Sequence, residues 1–294
     1  MTTPFRRLAW TTAVATFLLV VLGAVVRITG SGMGCGDHWP LCNGHLIPPL
    51  SDYRTVLEWG HRQLAAIVSI LVFALAAYAW WARRGEGRGE RYVPDRTAYV
   101  AAGLLIFQVL LGAVTVKLDL PHWTVVLHLA TAMVLLATVL LAADGWRGRP
   151  ARGAMGALVL GFAAVLAGGL TAKLEAAGAC LGFPLCSGQW MPTGDSLQHI
   201  HWTHRLLAYA LTAYVVVWAA RGRRAGPWVV LALVALQVAV GAGMVLGGFS
   251  LGLRAAHVAA GTAVWAGLVL AALRSGPRAA APAPSTLFTP PAQR

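Results

Sequence analysis

The sequence predicts an all-α integral membrane protein: eight transmembrane helices in two tandem four-helix bundles related by a pseudo-twofold axis, with both termini cytoplasmic. Three observations predict it. Of the 294 residues, 58% are hydrophobic and only 11% charged, far too apolar for a water-soluble domain. The apolar residues gather in eight runs of roughly 20, the length that crosses a bilayer. The second half of the chain repeats the first in order and in register.

The runs cover about residues 9–28, 59–82, 97–117, 122–143, 153–174, 199–220, 227–247 and 253–273. The first follows Arg6 and Arg7 and so looks like a signal peptide, but its apolar stretch is long for one. Its internal counterpart at 153–174 cannot be a signal, so it is read as a retained helix. The net charge of +13 does not imply nucleic acid: no nucleic-acid motif is present, and the charges sit in short loops between apolar runs. With the N-terminus inside, 16 of the 23 basic residues fall on the inside, from Arg6 and Arg7 through Arg83, Arg84 and Arg147 to Arg274 and Arg294. Only Arg54 lies outside and clear of a helix end. That bias places both termini in the cytoplasm.

The repeat pairs Arg27 with Lys173, Cys35 with Cys180, Cys42 with Cys186, and His61-Arg62 with His204-Arg205. It continues with Gln108 and Gln237, Gly112 and Gly241, and His128 and His257. The register changes across the cytoplasmic 83–96 loop. Each unit has an even number of helices, so the two run parallel about an axis along the membrane normal. The N-terminal unit spans 1–146 and the C-terminal unit 147–274, followed by a Pro- and Ala-rich tail, 275–294, expected to be disordered. Two long loops, about 30–58 and 175–198, lie outside, and each holds one cysteine pair.

His61, His128, His204 and His257 fall within the first turn or two of the second, fourth, sixth and eighth runs, at one depth near the outer face. Two histidines on facing helices can hold one heme iron by both axial positions, so two units would hold two hemes. The plain alternative is a histidine hydrogen-bonded to a neighbouring helix. Arg27, Arg62, Lys173, Arg205 and Arg254 lie at the same edge, where they would meet heme propionates or snorkel to lipid headgroups. Either cysteine pair could be a disulfide staple, worth about 2.5 kcal/mol on the chain-entropy picture, or a redox-active pair. The absence of a tight Cys-x-x-Cys spacing argues against a metal site.

Glu58 is the one unduplicated member of the set, since its counterpart is His201. It is read either as a proton-handling group beside the first site or as a helix-terminal acid favoured by the macrodipole. Gln108 and Gln237 are expected to hydrogen-bond between helices. His38, His45, His122 and His199 receive no role. No charged residue lies mid-span, which argues against an ion-coupled transporter.

The GSGMGCGDHWPLCNG loop, the EWGHR motif, the GACLGFPLCSGQWMP segment and the HWTHR motif carry a resemblance, joined by the histidines of the fourth and eighth runs. Together they resemble the heme A synthase family over about residues 9–273. That family oxidises a ring methyl of heme O to the formyl group of heme A. The resemblance implies that His61 and His128 frame the substrate heme, that His204 and His257 ligate a bound heme b, and that Glu58 is the essential carboxylate. It implies a Cys35–Cys42 disulfide linked to activity, while Cys180–Cys186 occurs in only some members. It implies a multi-pass protein of a bacterial plasma membrane serving cytochrome oxidase assembly. Its expected partners are heme O and heme A, lipid, the heme O synthase, an oxidase assembly factor and a second copy of the chain, with no nucleic acid. Two rivals remain: a di-heme b-type electron-transfer cytochrome and a heme transporter or chaperone. Only the synthase should yield heme A or its hydroxylated precursor as extracted pigment.

The charge bias makes the orientation testable. A tag at Arg88 should be cytoplasmic, and after reduction the four cysteines should react with an impermeant thiol reagent from the outer side. Labelling from the inner side would contradict the orientation.

Overall fold

In a computed structural model of the chain, residues 3–84, 96–145, 153–222 and 224–274 are described. Arg88, the boundary at 146/147 and the 275–294 tail lie outside the described residues. Eight helices follow in order: α1 (Thr3–Ile28), α2 (Tyr53–Arg84), α3 (Thr97–Lys117), α4 (His122–Asp144), α5 (Ala154–Lys173), α6 (Ser196–Arg221), α7 (Ala225–Leu246) and α8 (Leu251–Arg274). One short 3₁₀ turn, Ala176–Ala179, precedes the second cysteine pair. Among the described residues the only β-type pairing is two isolated bridges, Cys42 with His45 and Cys186 with Gln189.

Seven of these helices are long and apolar enough to cross a membrane. α6 is long but carries Gln198, His199, His201, His204 and Arg205 in its first half, and it is not among the seven. The predicted boundaries agree within a few residues, with α6 starting three residues early, except at the N-termini of α1 and α2, which start six residues early. α1 begins six residues before its apolar run, at Thr3. α2 begins at Tyr53, before the apolar run, because Asp52 caps it: the Thr55 N–H donates to Asp52 Oδ2 at 3.1 Å. The same contact holds the Asp52 carboxyl below the usual carboxylate range. α6 begins at Ser196 behind Asp195, whose carboxylate accepts from the Gln198 N–H at 3.0 Å. The Gln198 side chain accepts in turn from the Gly194 N–H at 2.7 Å, a reciprocal cap that a search for apolar runs does not see.

The extra turns of α2 and α6 move two of the four histidines, His61 and His204. His61 and His204 are each the ninth residue of their helix, and His128 and His257 are each the seventh. His128 and His257 therefore lie in the second turn, about 9 Å along the helix axis, as the sequence predicts, and His61 and His204 in the third, about 12 Å along it.

α1 packs on α2 and α4, and α3 packs on the same two helices; α5 and α7 do the same with α6 and α8. The two groups meet where α4 packs on α5 and α8, and α8 on α1. That seam is filled by Met133, Leu136, Val139 and Leu140 of α4 against Trp265, Val269 and Leu273 of α8. The Trp265 indole N–H donates to the Met133 carbonyl at 2.9 Å inside it, so a large ring is buried without an orphaned donor. At the end of the seam the Arg274 guanidinium forks onto the Asp144 carboxylate at 2.9–3.1 Å.

Candidate functional site

Each cysteine pair is a disulfide, Cys35–Cys42 and Cys180–Cys186, with all four cysteines buried. The turns they close are alike: Asn43-Gly44 and Ser187-Gly188 take positive φ beside the two β-bridges. Gly34 is required for a different reason. A Cβ there would lie 2.8 Å or less from the backbone of Arg54 and Thr55, so the loop can press against α2 only as glycine. Thr55 uses that approach to donate its hydroxyl to the Gly34 carbonyl at 2.8 Å.

An arginine locks each loop to its helix. Arg62 donates to the carbonyls of His38 at 2.8 Å and Leu41 at 2.6 Å, and forms an ion pair with Glu58 at 2.6 Å. Arg205 donates to the carbonyls of Gly182 and Leu185, both at 2.8 Å, and to that of Cys180. Its Nε–H donates to His201 Nε2 at 3.3 Å. Glu58 and His201 thus occupy one structural place, four residues before the locking arginine. Both are almost fully buried. The other Glu58 oxygen accepts from the Cys35 N–H at 2.8 Å. Glu58 therefore holds the disulfide loop as well as Arg62, and neither of its oxygens is bonded to His61. It is the sixth residue of α2, in the second turn, beyond the first turn over which the helix dipole acts.

The four histidines come together in two pairs. His204 and His257 have ring centroids 6.3 Å apart, with planes nearly perpendicular at 85°. His61 and His128 lie within electrostatic reach of each other. The Nδ1 atoms of His61, His128 and His257 are sealed in protein with no hydrogen-bond partner among the described residues. The His204 Nδ1 faces the Ala164 carbonyl at 3.0 Å. A carbonyl only accepts, so Nδ1 donates and Nε2 keeps its lone pair.

Gln108 and Gln237 bridge their helix pairs as the sequence predicts, but differently. The Gln108 amide donates to the His128 carbonyl at 3.0 Å while its oxygen accepts from Thr131. Position 260, the counterpart of Thr131, is Ala260, and the Gln237 amide instead reaches His257 Nε2 at 3.2 Å.

Of the edge cations, Arg62 and Arg205 are taken up by loop carbonyls. Arg27 and Arg254 are partly buried and feel each other's charge across α1 and α8, and Lys173 is partly buried at the end of α5. Sequence reasoning missed Trp59 and Trp202, the tryptophans common to the EWGHR and HWTHR motifs. The Trp59 N–H donates to the Leu46 carbonyl at 2.9 Å, and Trp202 packs on the second disulfide. The signal that would have found them is the repeat itself. Among the described residues no three His, Cys, Asp or Glu side chains gather to hold a bare metal ion. Two opposed imidazoles suit an iron that already has four ligands from a macrocycle. Metal–imidazole bonds are about 2 Å long, and two of them with half a ring beyond each come close to the observed centroid spacing.

A helical protein of membrane-spanning length, with paired imidazoles beside two arginine-locked disulfide loops, is the class that fold and site define. The chain belongs to the cytochrome oxidase assembly protein family, whose pattern it matches over residues 6–269. It is 31% identical over 271 residues to the heme A synthase of Bacillus licheniformis, covering 84% of this chain and 87% of that one. It is 34% identical over 270 residues to the heme A synthase of Symbiobacterium thermophilum, covering 81% and 84%. The heme A synthase of Halalkalibacterium halodurans is 33% identical over 219 residues, covering 70% and 72%.

The arginine lock predicts how the second loop opens. Arg205→Lys keeps the charge but loses the planar fork that reaches three carbonyls. Losing one or two charge-assisted hydrogen bonds, about 1.5–3 kcal/mol, should speed reduction of Cys180–Cys186 by dithiothreitol roughly 10- to 100-fold. An unchanged rate would show that the lock does not hold the loop.

Proposed function

We propose that this chain oxidises a ring methyl of heme O to the formyl group of heme A, the activity for which its relatives are named. It is an oxidoreductase of cytochrome oxidase biogenesis. The observation that carries this reading is a duplicated imidazole pair whose two copies differ in one acid, Glu58 against His201.

In this reading all eight helices span a bacterial plasma membrane, including α6, whose His201 and Arg205 are buried and whose Arg205 is bonded to its loop. The matched helix contacts in the two halves support tandem four-helix bundles, 1–146 and 147–274, about a pseudo-twofold axis. The Lys and Arg distribution supports cytoplasmic termini and sites near the outer face.

His204 and His257 would hold heme b. Their ring spacing and the lone pair on His204 Nε2 fit axial ligation, and His257 would exchange the Gln237 contact at its Nε2 for the iron. When bound, that group supplies one-electron transfer. His61 and His128 frame the heme O site. Gly112 lies against the His128 ring, and Gln108 fixes the backbone that carries it. Glu58, one turn before His61, joins the first disulfide loop to α2 and provides a carboxylate that can take or return a proton at that site. Arg27, Lys173 and Arg254 are the cations left for propionates, since Arg62 and Arg205 serve the loops. The cofactor is therefore heme b and the substrate heme O. A heme O synthase would supply the substrate, an oxidase assembly factor would receive the product, and a second copy of the chain is a further candidate partner. A di-heme cytochrome would have no use for the one-sided Glu58, and a transporter would release its heme unchanged.

Substitutions separate the sites. His204→Ala or His257→Ala should abolish a low-spin b-type spectrum, whereas His61→Ala or His128→Ala should spare it and stop turnover. Loss of one and the same heme in all four would contradict two sites. Glu58→Gln should lower conversion by about 10²–10⁴-fold, the usual share of a positioned acid or base, with heme O or its alcohol accumulating. Full conversion to heme A by that variant would reduce Glu58 to a loop anchor.

A further inference from the structure

Four glycines stand in one relation to the four histidines. Gly23 of α1 lies under His61, Gly112 of α3 under His128, Gly168 of α5 under His204 and Gly241 of α7 under His257. A Cβ at Gly168 would sit 2.8 Å from His204 Cε1, and one at Gly23 would sit 2.9 Å from His61 Cε1. At Gly241 the distance to His257 Cε1 would be 3.0 Å, and at Gly112 the distance to His128 Cε1 would be 3.2 Å. Non-bonded carbons rest at about 3.5–4.0 Å, so in every case the added methyl displaces the ring. The nearest atom is Cε1 all four times, so each imidazole turns the same edge to the preceding helix. Ordinary packing glycines in this chain behave differently: Gly161, Gly169 and Gly267 meet the side chains of Leu268, Leu129 and Leu233.

We propose that Gly23, Gly112, Gly168 and Gly241 are positioning residues that set the aim of the four imidazoles. The proposal rests on the reading of those histidines as the groups that face the hemes. Cε1 lies between the two ring nitrogens, so fixing that edge against a helix backbone fixes where both nitrogens point. The clearest case is His204. α5 presents two features to it one turn apart: the Ala164 carbonyl, which takes the Nδ1 proton, and the bare Cα of Gly168. The carbonyl selects the tautomer and the glycine admits the ring to reach it. A methyl at 168 would push the ring off both, so Nδ1 would lose its bond to the Ala164 carbonyl and Nε2 its direction. The Gly23–His61 clearance repeats this at the other pair with no carbonyl bond recorded, which leaves the glycine contact as the visible restraint on that ring.

The test uses purified holoprotein and alanine at Gly168, Gly241, Gly23 and Gly112. Gly243→Ala and Gly103→Ala serve as controls, because those two helical glycines meet nothing within 4 Å. The readouts are retention of the resident heme, its low-spin spectrum and its access to carbon monoxide, with elution profile and protected cysteines reporting the fold. Gly168→Ala should weaken heme retention roughly 10- to 100-fold, the usual effect of a ligand-orienting contact, and open the iron to carbon monoxide. Gly241→Ala, with more clearance, should do so less, and Gly243→Ala not at all. Gly23→Ala should leave the resident spectrum intact and weaken binding of added heme O, again more than Gly112→Ala. Should Gly168→Ala disturb the fold, the looser Gly241 and Gly112 variants decide. Spectra and carbon monoxide access equal to those of Gly243→Ala would overturn the proposal, as would equal damage from all six substitutions. A wild-type protein with no histidine-ligated heme would remove the heme reading first, and the proposal with it.

Discussion

A guanidinium withdrawn from water must satisfy its donors, and in this chain one buried and one partly buried arginine do so by fastening a loop to a helix. Arg205 is buried, and all its recorded partners are three loop carbonyls and one imidazole. Arg62 meets two loop carbonyls and Glu58. Each arginine directly follows a site histidine, so the loop, the disulfide and the first turns of α2 or α6 form one unit with the imidazole. Leaving such a charge unpaired would cost several kcal/mol, which is reason enough for the loops to close in this way. The site histidines thus inherit their order from a contact one residue away.

In the proposed function the duplicated site takes on two tasks, and the two halves differ at residues beside the histidines. The lock, disulfide, histidine and glycine are kept twice. The acid is kept once, and His201 fills its place as a neutral acceptor for Arg205. Thr131 holds Gln108 away from the His128 ring, while Ala260 leaves Gln237 free to approach His257 Nε2. The first change stands one turn before His61 and His204, and the second beside His128 and His257. In the proposed function such differences would let one site handle protons and the other only electrons.

Much of the fold was legible because bilayer thickness sets helix length and because a polytopic chain must alternate apolar runs with polar loops. The first turns of α2 and α6 were not, since they are polar and owe their existence to Asp52 and Asp195 rather than to hydropathy. The histidine pairs were visible through the repeat. The direction of Arg62 and Arg205 was not, because a charge at a helix end can turn to lipid, ligand or loop with the same sequence. Gly23 and Gly168 were hidden for another reason. A glycine in an apolar run has no pattern of its own, and its role exists only once the facing helix places an imidazole over it.

The central claim is that each half holds one porphyrin between its two histidines. The most direct measurement is the heme-to-polypeptide ratio of the purified protein from cells supplied with heme O, with each pigment identified by chromatography. The account predicts two hemes per chain of two kinds, one heme b and one heme O or its oxidation products. One heme per chain at saturation, or two of a single kind, would contradict it.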